Sequence, residues 1–175
     1  MENASQTTWK VDQSHSEVQF KFKHMMISTV SGNFNSFDAS IESNDDNFIN
    51  ADFKFSAEID SIDTKNSDRD GHLKSDDFFN AAEFPQLTFT SKSFDGSKMS
   101  GDLTIRNITK EIVLDAEFNG IADDMYGQTK AGFTINGSLS RKDFNLSWNA
   151  ITEAGNVVVS DNVKLAMDLQ FIKQA

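Results

Sequence analysis

The sequence predicts an all-β protein, an eight-stranded antiparallel β-barrel with one or two short helices confined to the connection over residues 63–85. Three observations carry that expectation. Apolar residues recur at every second position through most of the chain, the period of half-buried strands. Short polar links separate these stretches, so neighbours in sequence pair antiparallel. Only around 63–85 does the alternation give way to helix-capping signals.

Taken in order, residues 1–7 are expected to be extended or disordered, and an extended piece at Trp9-Lys10-Val11-Asp12 precedes the first full strand. Val18, Phe20 and Phe22 share one face of that strand, as Phe37, Ala39 and Ile41 do in the next. The clearest alternation is Ala51 to Asp60. Ala51, Phe53, Phe55, Ala57 and Ile59 lie on one side, and Asp52, Lys54, Ser56, Glu58 and Asp60 on the other. Ser67-Asp68-Arg69-Asp70 then matches a Ser-x-x-Asp capping box. Ser75, followed by Asp76 and Asp77, reads as a second N-cap with acids where the helix dipole favours them. Helix ends before Pro85, the only proline.

Leu87-Phe89, Met99-Gly101-Leu103-Ile105, Ile112-Leu114-Ala116-Phe118, Ala131-Phe133-Ile135-Gly137-Leu139 and Val163-Leu165-Met167-Leu169-Phe171 complete the strands by the same pairing of alternate residues. Turns are read at Asn33, Asp95-Gly96-Ser97, Arg106-Asn107, Asn119-Gly120 and Gly155-Asn156. No repeat, low-complexity segment or linker divides the chain, so 1–175 is read as a single domain.

Such strands close as a barrel or stack as a two-sheet sandwich. An eight-stranded barrel has an interior just wide enough to be filled by side chains or to hold one small ligand. The inward faces mix Phe with Ala51, Ala57, Gly101, Ala116, Ala131 and Gly137, which suits either interlocked packing or a lined cavity. A strand of roughly 11 residues spans about 36 Å. A bore of that length suits a long chain rather than a compact ligand.

Composition narrows the function. With 16 Lys+Arg against 27 Asp+Glu, the net charge of −11 repels phosphate backbones and anionic membranes, so nucleic acid is not an expected partner. No apolar run approaches the roughly 20 residues of a membrane helix, and membrane insertion is not expected. The amino terminus lacks the basic and apolar regions of a signal peptide. The expected location is therefore cytoplasmic as written, or periplasmic if a leader has been removed. The absence of cysteine excludes disulfides, thiolate metal sites and thiol nucleophiles. Sixteen Phe against one Tyr and two Trp predict a large, dry interior.

Several phrases, taken in order, carry a family pattern. They are Trp9-Lys10-Val11-Asp12-Gln13-Ser14-His15-Ser16-Glu17-Val18-Gln19-Phe20 with Lys23-His24-Met25, and Val30-Ser31-Gly32-Asn33-Phe34 with Phe37. The most specific is Ser61-Ile62-Asp63-Thr64 followed by Arg69-Asp70-Gly71-His72-Leu73-Lys74-Ser75-Asp76-Asp77-Phe78-Phe79. Phe84-Pro85 leading into Phe89, Gly101-Asp102-Leu103-Thr104-Ile105 with Thr109-Lys110, and Arg141-Lys142-Asp143-Phe144 complete the set. Together they resemble the YceI-like family, whose members are lipocalin-like barrels. The resemblance implies a long barrel, closed at one end by helices, that holds an isoprenoid quinone, a polyprenyl phosphate or a fatty-acyl derivative. Asn107 and Asn145 stand where the family tends to place glycine; Asn also visits the left-handed region, so both suit the same turns.

The expected ligand wall is Phe20, Phe22, Phe34, Phe37, Phe53, Phe55, Phe89, Leu103, Leu114, Phe118, Phe133, Phe144, Trp148, Leu165 and Met167, with His15, His24, Arg69 and His72 as head-group contacts. The expected partner is a long-chain isoprenoid or fatty-acyl lipid, with no cofactor beyond it, and a homodimer is compatible with the chain. Three histidines could form a zinc site, but none has i, i+4 spacing with another, and no metal is expected. His15-Ser16 and Asp70-Gly71-His72 hold the residue types of a nucleophilic triad without a Gly-x-Ser-x-Gly elbow. Asn44-Asp45-Asp46-Asn47 lacks the spacing of a calcium loop and reads as a solvated hairpin tip. Arg69-Asp70 reads as a structural tie, Asp70 capping the helix and Arg69 in a salt bridge, ahead of a head-group site. Arg106, Lys110 and Arg141 lie near strand ends, where an exposed charge is unremarkable.

Three readings follow: a non-enzymatic lipid carrier or sequestering protein, a filled barrel with a structural or stress role, and a lipid-modifying enzyme using His15, Asp70 or His72. The carrier is the expectation.

Overall fold

The computed structural model describes residues 6–146 and 159–174. In chain order the strands are β1 (Thr7–Val11), β2 (Glu17–His24), β3 (Ser28–Phe34), β4 (Phe37–Ser43), β5 (Asp52–Glu58) and β6 (Ile62–Asp63). Helix α1 (Ser67–Lys74) follows, then β7 (Gln86–Phe94), β8 (Lys98–Ile105), β9 (Ile108–Asp123), β10 (Thr129–Ser140) and β11 (Asn162–Lys173).

These segments make the eight strands of a closed antiparallel barrel, because the first six pair up end to end. A 3-10 turn at Gln13–His15 interrupts β1–β2, Asn35 and Ser36 interrupt β3–β4, and a 3-10 turn at Ile59–Ser61 interrupts β5–β6. The interruptions lie side by side: Asn35 N–H donates to the Ser61 carbonyl at 3.1 Å, and Glu58 N–H to the Ser36 carbonyl at 2.9 Å. The breaks of the second and third strands are therefore bridged by backbone hydrogen bonds. Around the barrel each strand pairs with its sequence neighbour, and β11 closes the ring on β1 (Trp9 opposite Lys173) and β2 (Phe20 opposite Leu165).

The helix lies where the ring loosens. The β5–β7 ladder ends at Glu58 opposite Gln86, whereas β6 pairs with β3 alone, and α1 with its following turns occupies the connection between them. Asn66 is the N-cap, its side chain accepting from Arg69 N–H at 3.1 Å. Ser75 ends this helix instead of starting a second one: its N–H and hydroxyl both bond the His72 carbonyl.

Two turn readings are corrected. Asn33 lies inside β3, opposite Gln19 and Asp63. Asn119-Gly120 lies inside β9, where Gly120 faces Gly132 and Phe118 faces Phe133, so Asn119 is the extra residue of a bulge. Gly120, at φ +114°, absorbs the distortion that the same dipeptide absorbs in a turn. At Arg106-Asn107 the left-handed residue is Arg106 (φ 56°), whereas Asn145 (φ 60°) takes the expected conformation. The Gly155-Asn156 reading lies outside the described residues.

The barrel is plugged at the end opposite α1. The connection from β4 to β5 exposes Asp45 and Asp46, as a solvated tip should, then turns Phe48 inward until it is fully buried. Its ring meets Trp9 at 5.2 Å, Phe118 at 5.0 Å and Phe133 at 5.3 Å between centroids. Phe133 in turn meets Phe53, Phe94 and Phe171, so one end of the barrel is solid aromatic core. Edge-to-face contacts dominate it, the arrangement that the ring quadrupole favours.

Candidate ligand-binding site

Between this plug and α1 the interior opens into two chambers. The inner one, about 90 Å³, runs toward the plug and ends against Phe53, Met99, Leu114, Ile135, Leu169 and Phe171. The outer one, about 430 Å³, lies beneath α1 and falls within the roughly 300–1,000 Å³ of small-molecule sites. Both share Phe20, Phe34, Leu87, Ile105, Leu139 and Leu165, which ring the neck where the two adjoin.

Glycines set the width of this passage. A Cβ built on Gly32 would stand 2.3 Å from the Phe20 ring, so the tip of the ring covers the glycine of the facing strand. Gly101 receives Phe89 in the same manner, at 2.5 Å, and Gly137 receives Leu114, at 2.4 Å. Each pairing draws a bulky side chain back against the wall and leaves the bore open.

Polarity is graded along the bore. The inward side chains of the inner chamber are apolar throughout, whereas the outer chamber adds His24, Asn66, Asp68, Arg69, His72 and Arg141. Arg141 was expected to be an exposed charge at a strand end; it is only 3 % exposed. Its guanidinium donates to the Ser160, Leu146 and Val159 carbonyls and lies over the Phe78 ring at 6.0 Å. Burial pushes its pKa down, Asp161 opposes this, and it stays a cation at neutral pH. These carbonyls belong to chain segments with no periodic signal, which is why the sequence did not reveal the burial.

Arg69 and Asp70 clamp Thr64. Asp70 accepts from both the backbone N–H and the hydroxyl of Thr64, while Arg69 donates to the Thr64 hydroxyl at 2.8 Å and to its carbonyl at 2.6 Å. The pair is the structural tie expected, but it is made through a threonine in place of the expected salt bridge, and Asp70 does not cap α1, whose N-cap is Asn66. Arg69 still borders the outer chamber.

The other site residues divide cleanly. Phe20, Phe34, Phe53, Phe55, Phe89, Leu103, Leu114, Leu165 and Met167 line the inner chamber, and Phe22, His24, Arg69 and His72 line the outer one. Phe118 and Phe133 belong to the plug. Phe37 and Phe144, although buried, border neither chamber. Trp148 lies outside the described residues. His15 sits on the outer wall at the β1–β2 break, away from both chambers.

Much of the wall is aliphatic: Val18, Leu87, Met99, Ile105, Ile112, Ile135, Leu139 and Leu169 sit beside the aromatics. Strand alternation marked nearly all of them as inward, but weighting by ring size passed them over. Leu73, Phe78 and Phe79 come from the 63–85 connection, where no periodicity marks a direction.

Catalytic arrangements find little support in this geometry. Asp12 and Ser14 both meet the same nitrogen of His15, at 2.8 and 3.1 Å, whereas a relay needs acid and nucleophile on opposite ring nitrogens. His72 Nε2 contacts Asp77 at 2.9 Å. Among the described residues no group of three or more His, Cys, Asp or Glu could hold a metal ion. Among the described residues no helix is long and apolar enough to cross a membrane.

Comparison with known proteins settles the family. The model of the YceI-like domain matches residues 9–171. The chain belongs to the YceI-like family. A UPF0312 protein of Staphylococcus epidermidis is 38% identical over 168 residues, covering 94% of this chain and 97% of its own. The YceI protein of Campylobacter jejuni, whose crystal structure is known, is 37% identical, with a TM-score of 0.72 over 87% of this chain and 90% of that one. A polyisoprenoid binding domain from Saccharophagus degradans shares the fold at 15% identity, with a TM-score of 0.70 over 95% of this chain and 98% of its own. The chambers, neck and plug are thus features of one YceI-like barrel, set by residues on nearly every strand.

Proposed function

We propose that this YceI-like protein is a non-enzymatic carrier or sequestering protein for a long-chain apolar lipid. The ligand class is an isoprenoid quinone, a polyprenyl phosphate or a fatty-acyl derivative, with no further cofactor. The observation that carries the reading is the graded bore, apolar in its inner chamber and polar only beneath α1. A lipid with one polar end matches that gradient, its tail passing the neck and its head lying near His24, Arg69 and His72. Binding then rests on removing tail surface from water, worth roughly 25 cal/mol per Å² before the cost of ordering the chain.

The fold shared with a domain described as polyisoprenoid-binding favours the same class. The filled-barrel alternative fits less well, because an unfilled apolar cavity costs about 24 cal/mol per Å³, or roughly 2 kcal/mol for the inner chamber alone. A barrel with no cargo has no reason to hold Phe20 and Phe89 against glycines.

Mass spectrometry of an organic extract, paired with native mass spectrometry of the intact protein, tests the proposal. A stoichiometric long-chain adduct is expected. If none appears even after incubation with quinones, prenyl phosphates and fatty acids, the carrier reading fails.

A further inference from the structure

Net charge argues against contact with an anionic surface, yet the charges are not spread evenly. On β2 the exposed residues toward the α1 end are Lys21 and Lys23, and on the adjoining half of β11 the exposed charge is Lys164. Lys21 and Lys164 are direct cross-strand partners. Like charges placed opposite one another destabilise a sheet. No carboxylate occurs in β3 or in 162–166 of β11, and none of the three lysines forms an ion pair among the described residues. Asp161, next along the chain, is engaged by the Ser140 hydroxyl and Lys142 N–H.

Beside this patch is an apolar tip. The turn from β2 to β3 is Met25-Met26-Ile27, with Met26 62% and Ile27 82% exposed. Met25 and Met26 take φ of 53° and 58°, a region where Gly or Asn would sit without strain. Folding would be better served by other residues here, so the strain points to a role for the side chains. His24, at the base of the turn, lines the outer chamber.

The opposite end supplies an internal control. Its turn at Met125-Tyr126 is as exposed, at 87% and 82%, but it is flanked by Asp123 and Asp124 and lies at the plugged end. Strand length and barrel tilt separate the two ends by about 30 Å. That is several times the roughly 8 Å screening length at physiological salt, so acids at the plug are not felt at the α1 end. There the exposed acids Asp68, Asp76, Asp77, Glu83 and Asp143 belong to α1, the turns after it and the segment after β10, not to β2, β3 or this half of β11.

We propose that the β2–β3 corner of the barrel's α1 end docks on an anionic lipid bilayer. Met26 and Ile27 enter the boundary between head groups and acyl chains, and Lys21, Lys23 and Lys164 meet the lipid phosphates. The proposal builds on the lipid-carrier reading, for which it supplies the loading site, with the outer chamber facing the membrane. Each lysine near an anionic surface strengthens binding roughly fivefold, so three contribute on the order of a hundredfold.

Co-sedimentation with vesicles tests this, using phosphatidylcholine alone and phosphatidylcholine mixed with phosphatidylglycerol. Preference for the mixed vesicles, weakened by salt, is expected. The K21Q/K23Q/K164Q variant should bind on the order of a hundredfold more weakly. M26S/I27S should also weaken binding, while M125S/Y126S should leave it unchanged; unaltered melting curves establish that each variant folds. Equal binding to both vesicle types, no binding to either, or no response to the lysine variant overturns the proposal. So does concentration-dependent dimerisation abolished by M26S/I27S, which would assign the tip to a second copy of the chain. The outcome is separable from the carrier test: loaded protein that ignores vesicles sinks docking alone, and empty protein that binds them sinks cargo alone.

Discussion

Replacing Gly32 by alanine tests the role of the neck. The new Cβ would lie 2.3 Å from Phe20 Cζ, with two further ring carbons at 2.8 and 2.9 Å. Those distances are about 1 Å short of ordinary contact. Backbone movement is opposed by the β2–β3 ladder, in which Phe20 faces Gly32, so the ring must swing away from the wall into the bore. Phe20 borders both chambers, and its displacement closes the passage between them. Every tail methylene kept out of the inner chamber forfeits about 0.8 kcal/mol, roughly a fourfold rise in Kd. The assay is affinity against chain length for a series of saturated fatty acids or prenyl alcohols. Wild-type affinity should climb with each added methylene until the tail meets the plug. Gly32→Ala should match it for short tails and level off several methylenes earlier. Gly32→Ala combined with Phe20→Leu should restore the longer climb. If the folded single variant keeps the wild-type slope and plateau, the neck does not lie on the ligand's path.

Three other substitutions probe the plug, the buried cation and the outer-wall charge network. Phe48→Ala removes a fully buried ring from the plug and should destabilise the protein by about 3–5 kcal/mol, measured by denaturant unfolding, while moving the chain-length plateau to longer tails. Arg141→Met strands the Ser160, Leu146 and Val159 carbonyls; a loss on the order of 3 kcal/mol should lower Tm by about 6–12 °C in calorimetry. For Asp12, burial raises the carboxyl, but hydrogen bonds from Lys130, Ser14 and His15 and the Lys130 charge together hold it well below the usual carboxylate range. Because the folded pKa is depressed, its stabilisation is complete above the ordinary carboxylate value, about pH 4, and is lost as pH falls below it. Asp12→Asn should therefore be less stable than wild type at neutral pH, with the gap narrowing in acid. Unfolding curves that stay parallel down to pH about 2 would refute that account.

How much of this was legible from the chain depends on where side-chain direction is periodic. Alternation alone placed β5, β8, β10 and β11, because a strand with one face in the core must repeat every second residue. β3 escaped notice: in Ser28–Phe34 only Val30 and Phe34 are large and apolar, since its inner face carries Gly32 under the Phe20 ring. The glycine that hid the strand is the residue that keeps the bore open. Alternation assigns Phe118 and Phe133 to the ligand wall as it does Phe53 and Phe89, because it says which side a residue faces and nothing about its depth. Depth was decided by Phe48, which a connection delivers to the barrel axis. That placement follows from no period in the sequence.

The same distinction bears on charge. A total of −11 describes how the protein behaves at long range, where it resists association with polyanions. Contact is decided within a screening length, and there the two ends differ: Asp123 and Asp124 beside one exposed tip, Lys21, Lys23 and Lys164 beside the other. An acidic barrel with a basic corner beside its wider chamber is repelled from an anionic surface in most orientations and accepted in one. Orientation would then be selected before contact, placing the outer chamber, and not the aromatic plug, toward the source of lipid. Net charge and local charge thus act together, the first limiting non-specific adhesion and the second directing the approach that remains.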